Sequence, residues 1–141
     1  MTNRCLGLII KDQDPLTLPL EASVQQACER MWARRVGAVL VTDDQGMLAG
    51  IFTGRDAVKM LAEGGHPGEV RLAAAMTAKP DTIDCQCTAI DALRMMSDGG
   101  YRHLPCVDAQ GRIRGIVSRG DFQGLELDRL EEETSLWERT C

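Results

Sequence analysis

The sequence predicts a mixed α/β (α+β) fold in which two pseudo-symmetric repeats pack as one module. Shifting the 141-residue chain so that residue 15 meets residue 80 aligns 15–56 with 80–121 without a gap, and ten positions are identical. Hydrophobic residues make up 44% of the chain and charged residues 26%, which is typical of a globular protein. Because one repeat alone would have a thin core, we expect the two to bury each other's open sheet faces.

The first repeat reads as strand, helix, strand, strand, helix. An extended segment at 16–18 leads into a helix that starts at Ser23, which forms a capping pair with the glutamine three residues on. Strands at 38–42 and 47–53 flank an Asp-Asp-Gln-Gly turn, and the second helix begins near Gly54. The first helix has apolar residues at spacings of three and four, namely Val24, Ala27, Cys28, Met31 and Trp32.

The second repeat has the same order of elements. An extended segment at 81–83 precedes a helix that starts at Thr88, again with a capping partner three residues on. Strands at 104–108 and 112–118 flank an Asp-Ala-Gln-Gly turn, and a last helix begins near Arg119. The apolar face of the first helix consists of Ala89, Ala92, Leu93 and Met96.

A glycine-rich break at 64–68 separates the repeats, and a short helix at 72–76 leads into the second one. We therefore divide the chain into a first repeat at 1–68, a second repeat at 69–124 and a C-terminal helix at 125–141.

The C-terminal segment is acidic and amphipathic. It holds six acids and two arginines, and so carries most of the net charge of −5. A helix of this kind must cover a surface of its own module, of a dimer mate or of a partner protein. Its apolar stripe consists of Leu127, Leu130, Thr134 and Trp137.

Several functional classes are disfavoured by composition. A protein that reads duplex DNA through its phosphates would be basic, and this chain is acidic. No apolar stretch is long enough to span a membrane, and no export signal is evident, so we expect a cytoplasmic protein with reduced cysteines. With only two histidines in the chain, the Cys85-x-Cys87 pair lacks partners for a metal site, and no nucleophile–base pair predicts catalysis.

The motif of most interest recurs where each repeat's last strand ends. Thr53 is followed three residues later by Asp56, and Ser118 is followed by Asp121. One interpretation is a helix cap, in which hydroxyl and carboxylate bind free backbone amides. The other is a nucleotide site, in which the hydroxyl meets a phosphate and the carboxylate accepts both hydrogens of a ribose diol. The cations able to neutralise phosphate are Arg55 and Arg119.

Each repeat resembles a cystathionine-beta-synthase (CBS) domain, and the pair resembles a stand-alone Bateman module. The resemblance covers about 3–124 and rests on Met76-Thr77, Pro80, Thr82-Ile83 and the runs 103–108 and 115–121.

The resemblance implies a regulatory protein that binds an adenosine-containing ligand between the repeats: AMP, ADP or ATP, and in some members NAD or S-adenosylmethionine. It implies that Asp56 or Asp121 holds the ribose and that Thr53 or Ser118 meets phosphate. It also implies a homodimer that signals energy state to an effector protein. The residues expected to bind nucleotide are Thr17, Leu18, Thr53, Arg55, Asp56, Thr82, Ile83, Arg102, His103, Leu104, Pro105, Ile116, Ser118, Arg119 and Asp121.

The two repeats differ in the residues that precede their second strand. Arg102 and His103 in the second repeat correspond to Gly37 and Ala38 in the first. We therefore expect unequal sites, with the Asp121 site better suited to a phosphate-rich ligand. The alternative hypothesis is an oligomerisation scaffold whose Ser/Thr-x-x-Asp pairs are only helix caps, with no tight nucleotide ligand.

Overall fold

The computed structural model describes residues 4–122 of the chain. Its elements are a mixture of helices and short strands, which agrees with the predicted mixed α/β class. In chain order they are α1 (Leu6–Ile9), β1 (Thr17–Pro19), α2 (Val24–Arg34), β2 (Ala38–Thr42), β3 (Leu48–Thr53), α3 (Gly54–Ala62), α4 (Leu72–Ala75), β4 (Thr77–Ala78), β5 (Ile83–Asp84), α5 (Ala89–Gly99), β6 (His103–Val107), β7 (Ile113–Ser118) and a 3-10 turn (Arg119–Asp121).

One compact unit, called here the first-repeat unit, comprises residues 14–81 and 111–113. Its sheet has the order β1-β2-β3-β4, with β1 parallel to β2 and the other neighbours antiparallel. Helix α2 contacts β2, whereas α3 and α4 contact β3. The core consists of Leu16, Ala22, Val24, Ala27, Met31, Val39, Val41, Phe52, Met60 and Leu72.

The other compact unit, the second-repeat unit, comprises residues 4–13, 82–110 and 114–122 of the described chain. Its three-stranded sheet has the order β5-β6-β7, with β5 parallel to β6, and α5 contacts β6. Residues of α1 and the turn after it complete the core. The core consists of Leu6, Ile10, Ile83, Ala89, Ala92, Leu93, Met96, Leu104, Cys106, Val117 and Phe122.

The helices begin where the sequence predicts. Ser23 and Thr88 are the N-caps of α2 and α5, and each forms a reciprocal capping box with the residue three positions on. The apolar face of α2 is narrower than predicted, because Trp32 is 78% exposed and so lies outside the core.

The grouping in space differs from the order along the chain. The leading segment, residues 4–13, packs into the second-repeat unit because Leu6 and Ile10 are buried in its core. Conversely, Leu72 of α4 is buried in the core of the first-repeat unit, and β4 extends its sheet. Neither α1 nor β4 was predicted, since both are too short to show a hydrophobic period.

The last helix of each repeat has a different outcome. In the first repeat it is α3, as predicted. In the second repeat only the turn Arg119–Asp121 falls within residues 4–122, and the predicted helix at 125–141 lies outside the described residues. Among the described residues, no helix has both the length and the apolar character needed to cross a membrane.

Candidate functional site

Each unit has an equivalent sheet edge at which the candidate residues gather. The amide after β3 donates to the residue before β2, with Gly54 N 3.2 Å from Gly37 O. The amide after β7 donates to the residue before β6, with Arg119 N also 3.2 Å from Arg102 O. Because β1 and β5 run parallel to β2 and β6, their first residues lie toward the same edge. The repeated hydroxyl and carboxylate therefore sit beside the starts of the other strands.

In the first-repeat unit, the carboxylate of Asp56 is bound by its own chain on both oxygens. Oδ2 accepts hydrogen bonds from Thr53 N at 2.9 Å and from Thr53 Oγ1 at 3.2 Å. Oδ1 accepts a hydrogen bond from the hydroxyl of Thr77, at 3.1 Å. Asp56 is half-buried and caps a helix of nine residues, so its contacts match the helix-cap interpretation.

In the second-repeat unit, the carboxylate of Asp121 is bound on one oxygen only. Oδ2 accepts hydrogen bonds from Ser118 N at 2.7 Å and from Ser118 Oγ at 3.3 Å. Within residues 4–122, Oδ1 has no hydrogen-bond donor, and the side chain is exposed. The Arg4 guanidinium donates to the backbone carbonyl of Asp121 at 3.0 Å. Asp121 therefore keeps one carboxylate oxygen that has no donor among the described residues.

His103 opens β6 next to this turn and is half-buried. Burial lowers its pKa below the ordinary value of 6.5, and the Arg102 guanidinium lowers this pKa further, while the Asp121 carboxylate opposes both. His103 is therefore neutral at pH 7, with one nitrogen that donates and one that accepts a hydrogen bond. Arg102 directly before β6 and Arg119 directly after β7 are both exposed, so two cations belong to this edge.

The other residues expected to bind nucleotide differ in exposure. The side chains of Ile83 and Leu104 belong to the core of the second-repeat unit, so they are not available to a ligand. Ile116 is half-buried and Pro105 is buried, and both lie outside that core cluster. In the first-repeat unit, Thr17 is exposed and Leu18 is half-buried. The remaining predicted residues, Arg55 and Thr82, are exposed.

Three residues next to these edges were not predicted from the sequence as site residues. Thr77 was noted only as part of a family motif, although its hydroxyl binds Asp56. Arg4 and Gln13 reach the second-repeat unit because residues 4–13 pack there. The repeat alignment starts at residue 15, so it carried no signal for Arg4 or Gln13.

The cysteines of the described chain are free thiols. Cys106 lies in the second-repeat core, where burial raises its pKa to about 12, so the reactive thiolate is scarce at neutral pH. Cys85 and Cys87 are half-buried. No cluster of three or more histidine, cysteine or acidic residues able to hold a metal ion occurs within residues 4–122.

Comparison with known proteins gave a family match, sequence relatives and similar solved structures. A family model described as "CBS domain" matches residues 9–63 and 69–125. A relative from Arabidopsis thaliana, CBS domain-containing protein CBSCBSPB3, is 42% identical over 94 residues, which are 66% of this chain and 17% of that protein. The chain thus spans less than a fifth of the length of this plant relative.

Two solved structures have the same fold. The CBS domain protein PAE2072 from Pyrobaculum aerophilum, complexed with AMP, matches with a TM-score of 0.81 at 20% identity, covering 92% of this chain and 98% of that one. The CBS domain pair of protein MJ0100, in complex with 5′-methylthioadenosine and S-adenosylmethionine, has a TM-score of 0.72 at 24% identity, covering 87% and 92%.

Proposed function

This chain belongs to the CBS domain family, and we propose that it is a regulatory module that binds an adenosine nucleotide and is not an enzyme. The ligand we propose is AMP, ADP or ATP, with NAD and S-adenosylmethionine as the related candidates. The site we propose is the edge of the second-repeat unit around Asp121.

The observation that carries the proposal is the unequal use of the two Asp121 carboxylate oxygens. Oδ2 is held by Ser118, whereas Oδ1 has no donor within residues 4–122. An ionised carboxylate accepts hydrogen bonds only, so Oδ1 suits a hydroxyl of a ribose. The second ribose hydroxyl would compete for Oδ2 with the Ser118 hydroxyl, whose bond is long at 3.3 Å. The shorter bond from Ser118 N would keep the turn in place.

The charge around the edge supports a phosphate-bearing ligand. Arg102 and Arg119 are exposed, and their guanidinium groups suit bidentate contact with phosphate oxygens. A Ser118 hydroxyl released from Asp121 would have its proton free for the same phosphate. The first-repeat unit has Gly37 and Ala38 in place of the arginine and histidine. We therefore propose one principal nucleotide site per chain.

The complexes of related structures support the ligand class. PAE2072 is complexed with AMP, and the MJ0100 pair is complexed with methylthioadenosine and S-adenosylmethionine. All three molecules contain adenosine and differ in what the 5′ carbon carries. The basic edge at Asp121 favours the phosphate-bearing members of this set.

We also propose a homodimer that associates through the outer faces of α2 and α3. Trp32, Val58 and Leu61 on these helices are 78%, 66% and 57% exposed, although each is large and apolar. Association would bury these side chains. Nucleotide that favours one arrangement of the dimer over another would then change the surface offered to an effector protein.

The second candidate function is an oligomerisation scaffold without a tight nucleotide ligand. Asp56 favours it, because its hydrogen bonds from Thr53 are those of a helix cap and its bond from Thr77 ties it to β4. In this case the acid at Asp121 would serve only to close the turn at Arg119–Asp121.

Calorimetric titration of the full chain with AMP, ADP, ATP, NAD and S-adenosylmethionine distinguishes the two functions. Wild type should bind at least one nucleotide with one site per chain. Asp121→Ala should weaken that binding more than about a hundredfold, because hydrogen bonds to a charged group are lost. Its cost to the free energy of unfolding should stay near 1 kcal/mol, as for a lost cap.

Asp56→Ala is the matched control, because it removes the equivalent carboxylate from the other repeat. It should leave the affinity of the principal site within about twofold of wild type. No binding by wild type would support the scaffold instead. Equal affinity in both variants would mean that the nucleotide does not bind at Asp121.

A further inference from the structure

The outer edge of β7 is covered in an unusual way. In the first-repeat unit, the equivalent strand β3 pairs with β4, and Ile51 lies opposite Thr77. Ile116, the counterpart of Ile51 in the repeat, lies on the last strand of the order β5-β6-β7. A strand edge left open presents an unpaired N–H and C=O at each outward residue.

At Ile116 the partner is a side chain rather than a strand. Nε2 of Gln13 donates to Ile116 O at 2.8 Å, and Ile116 N donates to Gln13 Oε1 at 2.9 Å. Both bonds are partly buried. A carboxamide holds a donor and an acceptor in one plane, so it can replace the peptide group of a neighbouring strand.

Gln13 is itself held in place. Its backbone N–H donates to Ile10 O at 3.0 Å, and Ile10 is buried in the core of this unit. Ile10 also lies close to Gly115, where an added Cβ would be 2.8 Å from both Ile10 Cβ and Gln13 Oε1. Glycine at this position therefore lets the leading segment approach the strand.

The same segment reaches the turn that follows β7. Ile116 is two residues before Ser118, whose N–H and hydroxyl hold Asp121. Arg4, at the other end of the leading segment, donates to Asp121 O. The segment thus contacts both the strand and the turn that carry the proposed site.

We infer that Gln13 is a positioning residue for the nucleotide site: its carboxamide fixes the outer edge of β7 and thereby the placement of Ser118 and Asp121. This inference rests on the function proposed above. Gln13 itself need not touch the ligand.

The test compares Gln13→Ala, Gln13→Glu and wild type as full chains, by calorimetry with AMP or with the panel nucleotide that binds wild type more tightly. At about pH 7.5 both variants should bind at least about tenfold more weakly, because a partly buried donor and acceptor lose their partners. Toward pH 5 partial burial beside a carbonyl favours the protonated glutamate, which regains a donor, so Gln13→Glu should recover affinity relative to wild type. Gln13→Ala should not recover.

Gln110→Ala, an exposed turn glutamine of the same unit, is the control and should bind like wild type. If Gln13→Ala does not fold, Gln13→Glu is sufficient for the test, because its nucleotide affinity is compared at two pH values in one protein. Affinities of both variants within twofold of wild type at both pH values would overturn the inference and leave the proposed function standing. No nucleotide binding by wild type would overturn both.

Discussion

Asp56 and Asp121 occupy the same place in two copies of one motif, yet their surroundings differ. Asp56 is half-buried and receives donors on both oxygens, one of them from Thr77 of β4. Asp121 is exposed and receives donors on one oxygen only, among the residues described. A carboxylate with a donor already on each oxygen has less acceptor capacity left for a ligand. The motif is the same in both repeats, but among the described residues only Asp121 keeps an oxygen without a donor.

The cause lies at the outer strand edges of the two sheets. Strand β4 covers the edge of β3 and brings Thr77 to Asp56. On β7 the Gln13 side chain forms hydrogen bonds with the backbone of Ile116 and brings no hydroxyl to Asp121. The element that pairs with the last strand therefore decides whether the carboxylate is satisfied within the chain.

The largest effect on stability should come from the glycines that face these covered edges. In Gly50→Ala the new Cβ would meet the Thr77 backbone carbonyl at 2.8 Å, and also the Met76 sulfur. In Gly115→Ala it would meet two side chains, Ile10 and Gln13. The Thr77 carbonyl and the Cβ of buried Ile10 are both fixed by the backbone, so each variant should lose about 1–3 kcal/mol of the free energy of unfolding.

Urea unfolding of both variants measures the loss in the free energy of unfolding. Gly46→Ala is a useful reference, because its cost comes from a positive φ of 77° with open space around the added Cβ. A loss at Gly50 or Gly115 smaller than the loss at Gly46 would contradict the idea that both strand edges are closely covered.

A smaller effect is expected from Thr77→Val, which removes the hydroxyl bound to Asp56 Oδ1 and keeps the β-branched shape. The first-repeat carboxylate would then resemble Asp121, with one oxygen free. We expect a second, weak binding event in calorimetry with AMP, about tenfold or more weaker than the principal site because Arg102 and His103 have no counterparts there. Ser97→Ala, which removes an exposed hydroxyl on α5 of the other unit, is the control. An unchanged stoichiometry would mean that Thr77 does not limit the first repeat.

Most of the fold could be predicted from the sequence, because the patterns that indicate its helix starts and turns are local. The capping boxes at Ser23 and Thr88 and the turns before β3 and β7 are set by neighbouring residues, and their elements lie within a few residues of the predictions. The site was less predictable. Its residues Thr53, Asp56, Ser118 and Asp121 follow from the repeat, but which carboxylate stays free depends on contacts between distant parts of the chain.

Contacts between distant parts of the chain leave no periodic pattern in the sequence. Thr77 reaches Asp56 over a separation of 21 residues, and Gln13 reaches Ile116 over 103. Similarly, nothing in the periodicity of α2 distinguishes Trp32, which is exposed, from Met31, which is buried. Only the position of the sheet relative to the helix separates them.

The smallest effect we predict is the contribution of His103 to the pH dependence of stability. Its pKa in the folded protein lies below the ordinary 6.5, because of burial first and Arg102 second. The unfolded chain therefore binds more protons as the pH falls below about 6.5, and this contribution to stability is lost as the pH passes through the lowered pKa. The melting temperature of wild type should thus fall more between about pH 7 and pH 5 than that of His103→Gln.

His66→Gln is the matched control, because it removes the chain's other histidine, which is exposed in the first-repeat unit. It should keep the wild-type pH profile. A bound phosphate beside His103 would favour the imidazolium and raise its pKa, so nucleotide should flatten the profile of wild type and leave that of His103→Gln unchanged. If nucleotide changed the pH profile equally in both proteins, His103 would not lie beside the phosphate. The two repeats would then differ functionally only through Asp56 and Asp121.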